Sequence, residues 1–257
     1  MDINMKLIIN GDDFGHTRGV NFGIADAFRQ GILRSATIMA NRPAFLHAIE
    51  IAKENPNLGV GIHLVLSSGQ PLGANYRTIV QQDGMFYRPD SMLGTLSEEC
   101  ADAFDSFEVE TEFRLQIEAV LAQGIRPTHL DSHHFVHMLP SILPVVLRLA
   151  DHYGFPMRIT NRNMIPEAFR YIKSSSTFSY DFYDDGATLQ NIVHILEENK
   201  DTDILEVMSH PAYVDKALID TTSYVLQRAR ELEVLTTPRL MDYINENHIE
   251  LVNYSII

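Results

Sequence analysis

Two patches of this 257-residue chain concentrate side chains that bind divalent metals or move protons. They are Asn10-Gly11-Asp12-Asp13-Phe14-Gly15 and His129-Leu130-Asp131-Ser132-His133-His134-Phe135-Val136-His137. Adjacent carboxylates and a dense imidazole cluster are costly to bury unless something cationic satisfies them. Metal-dependent hydrolysis is the chemistry that this composition suggests. His63, Arg158, Glu206 and His210 add isolated polar groups within apolar runs.

Each patch closes a stretch that reads as a β-strand, and side chains alternate faces along a strand. Asp12 and Asp13 have opposite parity, which suits separate jobs: one holds a metal, the other handles a proton. A plain strand-to-helix turn, with Thr17 as the helix cap, competes with that reading. Gly59, Gly61 and His63 share one face, and the glycines leave room beneath the imidazole. His129, Asp131 and His133 also share a parity, with His133 nearest the strand end. Asp131 or His129 could fix the orientation of a metal-binding ring. One histidine of this cluster is expected to do structural work. Glu206 and His210 lie on one face of a later strand. His210 is a candidate acid, and Glu206 either pairs with its other ring nitrogen or supports the strand interior. Arg158 could orient Asp12 or form a structural ion pair.

The elements that must position these groups alternate. Strands are expected at Lys6–Gly11, Ser35–Met39, Asn57–Leu66, Arg126–Ser132, Phe155–Thr160 and Ile204–Ser209. Helices are expected at Thr17–Gln30, Pro43–Glu54, Glu108–Gln123, Ser141–His152, Leu189–Asn199 and Lys216–Leu232. Recurrent strand-helix units imply an α/β fold with a mainly parallel sheet. A distorted or incomplete (β/α) barrel is preferred, with an open doubly wound sheet as the alternative. Chemistry in either collects at the carboxyl ends of the strands. Ser67–Leu96 breaks the alternation and reads as a lid, a binding loop or an assembly arm. Residues 161–186 form a second irregular stretch. No linker marks a boundary, so residues 1–257 are expected to be one domain.

A net charge of −14 makes nucleic acid a poor partner. The single cysteine, Cys100, excludes an internal disulfide and sits among acidic residues that do not favour a thiolate. No stretch approaches the roughly 20 apolar residues of a membrane span, and the first residues lack a basic, then apolar, leader. A cytoplasmic location without membrane contact is the expectation.

Four motifs together carry a resemblance. Ile8-Ile9-Asn10-Gly11-Asp12-Asp13-Phe14-Gly15, Gly61-Ile62-His63-Leu64, Thr128-His129-Leu130-Asp131-Ser132-His133-His134 and Glu206-Val207-Met208-Ser209-His210-Pro211 resemble the YdjC-like carbohydrate deacetylases, above all the bacterial chitooligosaccharide deacetylases. The resemblance implies a distorted barrel related to the polysaccharide deacetylases, and a homodimer. It implies one divalent metal ion held by Asp13, His63 and His133, with magnesium and zinc the leading candidates. It assigns Asp12 as catalytic base and places His210 near the leaving group. The chain departs from the pattern at Phe135, where a third consecutive histidine is frequent, at Ser209, where cysteine is common, and at Gly11, where alanine is common.

The expected reaction is hydrolysis of the N-acetyl group of a small N-acetylglucosamine-containing sugar such as diacetylchitobiose. Another metal-dependent hydrolase, such as a phosphoesterase, is one rival. A non-catalytic sugar-binding protein on the same fold is the other. The chain has no tryptophan, so a sugar-stacking platform must come from Tyr or Phe. Phe14, Phe135, Phe178, Tyr180, Phe182 and Tyr183 are the candidates.

Overall fold

The computed structural model describes residues 5–88 and 98–257. The end of the expected loop, residues 89–96, lies outside the described residues. The strands are β1 (Lys6–Phe14), β2 (Ser35–Ile38), β3 (Gly59–Leu64), β4 (Leu130–Ser132), β5 (Thr177–Ser179), β6 (Ile204–Ser209) and β7 (Glu250–Leu251). Their order is β4-β3-β2-β1-β6-β5, with β7 also on β1. The pairings are parallel, and β1 is flanked by β2 and β6 as the first strand of a barrel would be. The order ends at β4 and β5 without closing. This is the incomplete parallel α/β barrel that the alternation predicts.

The chain divides into two compact units. The first comprises Met1–Ile38, Pro43–Val60 and Ser175–Ile257. β1 is buried along nearly its whole length, as expected of a parallel strand covered on both faces. Helix α1 (Arg18–Gln30) follows it, and Thr17 caps α1 by accepting the Val20 N–H at 3.2 Å. Such a cap is worth about 1 kcal/mol. Val20, Ile24 and Ala27, at helical spacing, are fully buried. Helix α2 (Phe45–Glu54) completes the early part of this unit.

The second unit comprises Met39–Arg42 and Gly61–Ser174. It holds α3 (Glu98–Asp102), α4 (Ser106–Leu121) and α5 (Leu143–Tyr153). Two carboxylates of α4 grip the irregular segment that follows β3. Glu112, fully buried, accepts the N–H groups of Leu72 and Gly73 and the Tyr76 hydroxyl, each at 3.0 Å. Glu108 accepts the Arg77 and Thr78 N–H groups, both at 2.8 Å, and the Thr78 hydroxyl at 2.7 Å. This stretch is pinned through its backbone.

Three expected elements differ, the first being the strand expected over Arg126–Ser132, of which only Leu130–Ser132 is strand. Phe155–Thr160 forms no strand; its backbone pairs with β4 at an isolated bridge from Met157 to Leu130. Pro156 lacks an N–H, so the ladder cannot continue past it toward the N-terminus. The helix expected over Lys216–Leu232 is broken into α7 (Lys216–Thr221) and α8 (Leu226–Leu235). Thr222 is extended, and its hydroxyl accepts the Tyr224 N–H at 3.1 Å, a local turn that competes with helix. The remaining helices are α6 (Leu189–Glu198) and α9 (Pro238–Glu246). Among the described residues no helix is long and apolar enough to cross a membrane.

Candidate active site

In the first unit the carboxyl end of β1 carries Asp12 and Asp13. The register against β2 slips between Gly11 and Phe14, and Asp13 adopts φ 66°. An aspartate tolerates this left-handed region better than most side chains, at a cost of about 1–2 kcal/mol. The slip is a bulge, so simple alternation does not set where the second carboxylate faces. Both aspartates are buried. Asn10 donates from Nδ2 to Asp12 Oδ1 at 2.8 Å and to Thr37 Oγ1 at 3.1 Å. Arg228, from α8, donates from Nη2 to Asp13 Oδ2 at 2.6 Å, and both side chains are almost wholly buried.

His210 follows β6 and belongs to the same unit. Its backbone N–H donates to Glu231 Oε2. Its Nδ1 lies 3.8 Å from Glu231 Oε1. The other Glu231 oxygen contact is the Tyr224 hydroxyl, which donates at 2.5 Å. That phenol is pushed well above its ordinary pKa by burial and then by the neighbouring Glu231 charge, so it stays a donor. The His210 ring meets the rings of Tyr183 and Tyr224 edge-on, with centroids at 5.5 and 5.7 Å. Glu206 takes the second of its two expected roles: it is buried and accepts the hydroxyls of Tyr254 and, at 3.3 Å, Ser175.

In the second unit β3 and β4 run in register, with His63 opposite Asp131. His63 Nδ1 bonds to Asp131 Oδ1 at 2.7 Å, and Arg158 Nη1 bonds to Asp131 Oδ2 at 2.9 Å. All three groups are buried. Burial opposes ionisation of Asp131, but His63 and Arg158 outweigh it and hold the carboxyl far below the usual range. Arg158 thus forms the ion pair that was one of its two expected roles. Its partner is Asp131.

The chain turns sharply after β4, with His134 and Phe135 at φ 57° and 54°. The His133 ring lies 5.6 Å from that of His63, and His134 Nδ1 bonds to Ser67 Oγ at 2.9 Å. His137 is the structural histidine of the cluster. Its Nε2 faces the Arg158 carbonyl at 3.0 Å, so that nitrogen carries the proton, and Nδ1 accepts the Ser132 hydroxyl at 2.5 Å. Burial, reinforced by Arg158, pushes its pKa down to about 4. His129 explains Gly61: a Cβ there would stand 2.4 Å from its Nδ1. The glycines of β3 make room for neighbouring side chains as well as for His63.

Among the described residues, two sets of three side chains have donor atoms able to hold a metal ion: Asp13, His63 and His133, and Asp12, His63 and Asp131. Both Asp131 oxygens are already engaged, by His63 and Arg158. Asp131 therefore fits the role of a carboxylate that orients a ligating imidazole, which leaves Nε2 of His63 for the metal. The donor chemistry favours the first set, one carboxylate with two imidazoles, a combination that suits borderline divalent cations.

Four residues of this region escape a reading of the sequence: Arg228, Glu231 and Tyr224 as partners, and Tyr183 as the ring against His210. A signal exists. Arg228, Glu231, Leu232 and Leu235 follow helical spacing, and all are buried. Two charged residues on an otherwise apolar stripe require partners.

The model of the family described as YdjC-like protein matches residues 6–246. A carbohydrate deacetylase of Brevibacillus brevis is 42% identical over 254 residues, 98% of this chain and 99% of its own length. A crystal structure from Enterococcus faecalis, named as a cellobiose-phosphate cleavage protein, superposes with a TM-score of 0.90 at 32% identity, covering 98% of both chains. The family 4 carbohydrate esterase of Streptomyces lividans shares the fold, at a TM-score of 0.52 and 12% identity over 96% of this chain and 91% of its own. With a family model matching residues 6–246 and full-length relatives at this identity, the chain belongs to the YdjC-like family.

Proposed function

We propose that this protein is a carbohydrate deacetylase that hydrolyses the N-acetyl group of a small chitooligosaccharide such as diacetylchitobiose, with Asp13, His63 and His133 as ligands of one divalent metal ion. The observation that carries the reading is the donor set itself: a carboxylate and two imidazoles, one of them fixed by Asp131, in a chain whose relatives are named carbohydrate deacetylases.

An acetamide is inert near neutral pH, so its hydrolysis needs a polarised carbonyl, an activated water and a protonated leaving amine. A bound metal ion supplies the Lewis acid, able to lower the pKa of water from about 15.7 toward roughly 7. Asp12 accepts the proton of the attacking water, and Asn10 holds its carboxylate in place. His210, protonated, gives its proton to the sugar nitrogen as the C–N bond breaks. Glu231 fixes His210 through the backbone and lies 3.8 Å from its Nδ1. Water and amide are converted to acetate and a free sugar amine.

Zinc and magnesium are the proposed metals, the protein is proposed to act in the cytoplasm, and a homodimer is the proposed assembly. A phosphoesterase needs free cations at the site, whereas Arg158 and Arg228 are each committed to a buried carboxylate. Mass spectrometry of N,N′-diacetylchitobiose incubated with metal-loaded protein tests the proposal. Loss of one acetyl group with equimolar acetate is expected, and an unchanged sugar mass with every divalent metal would overturn it.

A further inference from the structure

We infer that Tyr183 is a preorganised stacking platform for the pyranose ring of the substrate, set beside the group proposed to protonate the leaving amine. The inference rests on the deacetylase reading and adds the residue that binds the sugar.

Tyr183 stands out from Phe14, Phe178, Tyr180 and Phe182 by its surroundings. Phe14 and Phe182 are fully buried, so neither offers a face. Tyr180 is exposed but its described ring neighbour is Phe178, at 6.2 Å, not a proposed catalytic group. Tyr183 is 43% exposed and meets the His210 ring edge-on at 5.5 Å.

Isolated exposed tyrosines are ordinary, but this one is held still. Its ring stacks on Tyr224 with centroids 4.2 Å apart and planes 3° from parallel. Tyr224 is itself anchored: its hydroxyl donates to Glu231 at 2.5 Å and accepts the Asp184 N–H at 2.8 Å. Asp184 follows Tyr183 with φ 54°, and Gln227 donates to its side chain at 3.0 Å. The backbone beside the ring and the surface beneath it are thus both fixed by hydrogen bonds. A rigid aromatic ring offers contact area at little entropic cost, since few torsions remain to be frozen on binding. The axial C–H face of a glucosamine ring matches such a surface, and a chain without tryptophan has only Tyr and Phe to provide it.

The inference is tested with the full-length, metal-loaded protein and three variants. Tyr183→Ala should raise KM for diacetylchitobiose roughly tenfold with kcat within about twofold, the signature of lost ground-state and transition-state binding alike. Tyr183→Phe keeps the ring and should match the wild type. An unchanged KM in Tyr183→Ala, or a Phe variant as impaired as the Ala variant, overturns the platform. Tyr183→Trp creates the only tryptophan in the protein, so its emission reports on this position without turnover. Titration with chitobiose should change the emission saturably, while acetamide, which lacks a sugar ring, should not. Equal responses to both, or none to the sugar, overturn the inference. A wild type that releases no acetate from any N-acetylated sugar defeats the deacetylase reading instead, and the tryptophan titration then still decides whether the platform takes a sugar.

Discussion

His63 and His137 of the second unit and His210 of the first are held in different ways. In the second, His63 and His137 have both orientation and tautomer set by neighbours: Asp131 for the first, Ser132 and the Arg158 carbonyl for the second. In the first, His210 Nδ1 is buried without a hydrogen-bond partner among the described residues, and its nearest carboxylate oxygen stands off at 3.8 Å. Arg228 Nη1 is likewise buried without a hydrogen bond there. A ligand needs a fixed lone pair, which the second unit provides. Of the groups given proposed roles, the two imidazole ligands belong to the second unit, and Asp12, Asp13 and His210 to the first.

Substitutions can break this comparison, beginning with the largest effects. His63→Ala should abolish both metal binding and acetate release, read by metal titration and turnover together. Asp12→Asn should keep the metal yet lower kcat by about 10²–10⁴, the range for a general base. Near-normal turnover in that variant would remove Asp12 from the role. Arg228→Ala removes a charged partner of the buried Asp13 and should cost about 3–5 kcal/mol in denaturant unfolding of the metal-free protein. If the metal relieves that charge, added metal should recover part of the loss.

Two smaller effects sharpen the contrast. His137 is neutral when folded at neutral pH, so the unfolded state binds the extra proton as acid is added. Its contribution is complete above the ordinary histidine value of 6.5, declines as pH falls, and is gone below about 4. The loss amounts to about 3 kcal/mol across that window. Unfolding free energies measured between those limits should slope less in His137→Gln than in the wild type. Asp131→Asn keeps the shape but weakens the hold on His63, and a decrease in metal affinity of about 10–100-fold is expected by isothermal titration. An unchanged affinity would move Asp131 from orienting carboxylate to structural ion pair.

Long periodic segments were legible from residues alone. β1, α1, α2 and β6 fall where alternation and capping put them, because buried strands and one-sided helices leave strong patterns. The proposed ligands and Asp12 stand in the motifs, and strand parity marks Asp131 as a group able to orient a metal-binding ring; that the ring is His63's is visible only in the register of β3 against β4. What stayed hidden depends on chain reversal and non-local pairing. The Asp13 bulge leaves no periodic trace. The break at Thr222 separates two stretches that read as one helix, and so conceals how Tyr224 and Arg228 are aimed. Glu206 drew attention as the partner of His210 through strand parity, whereas Glu231 supplies that carboxylate from the later helix α8.

The grip of Glu108 and Glu112 on the segment after β3 has a consequence for how such enzymes diversify. Most of what these carboxylates hold is peptide N–H, which every residue but proline presents alike. Side chains at Leu72 and Arg77 can therefore be exchanged with little penalty to folding, so this stretch can change its surface while the scaffold stays intact.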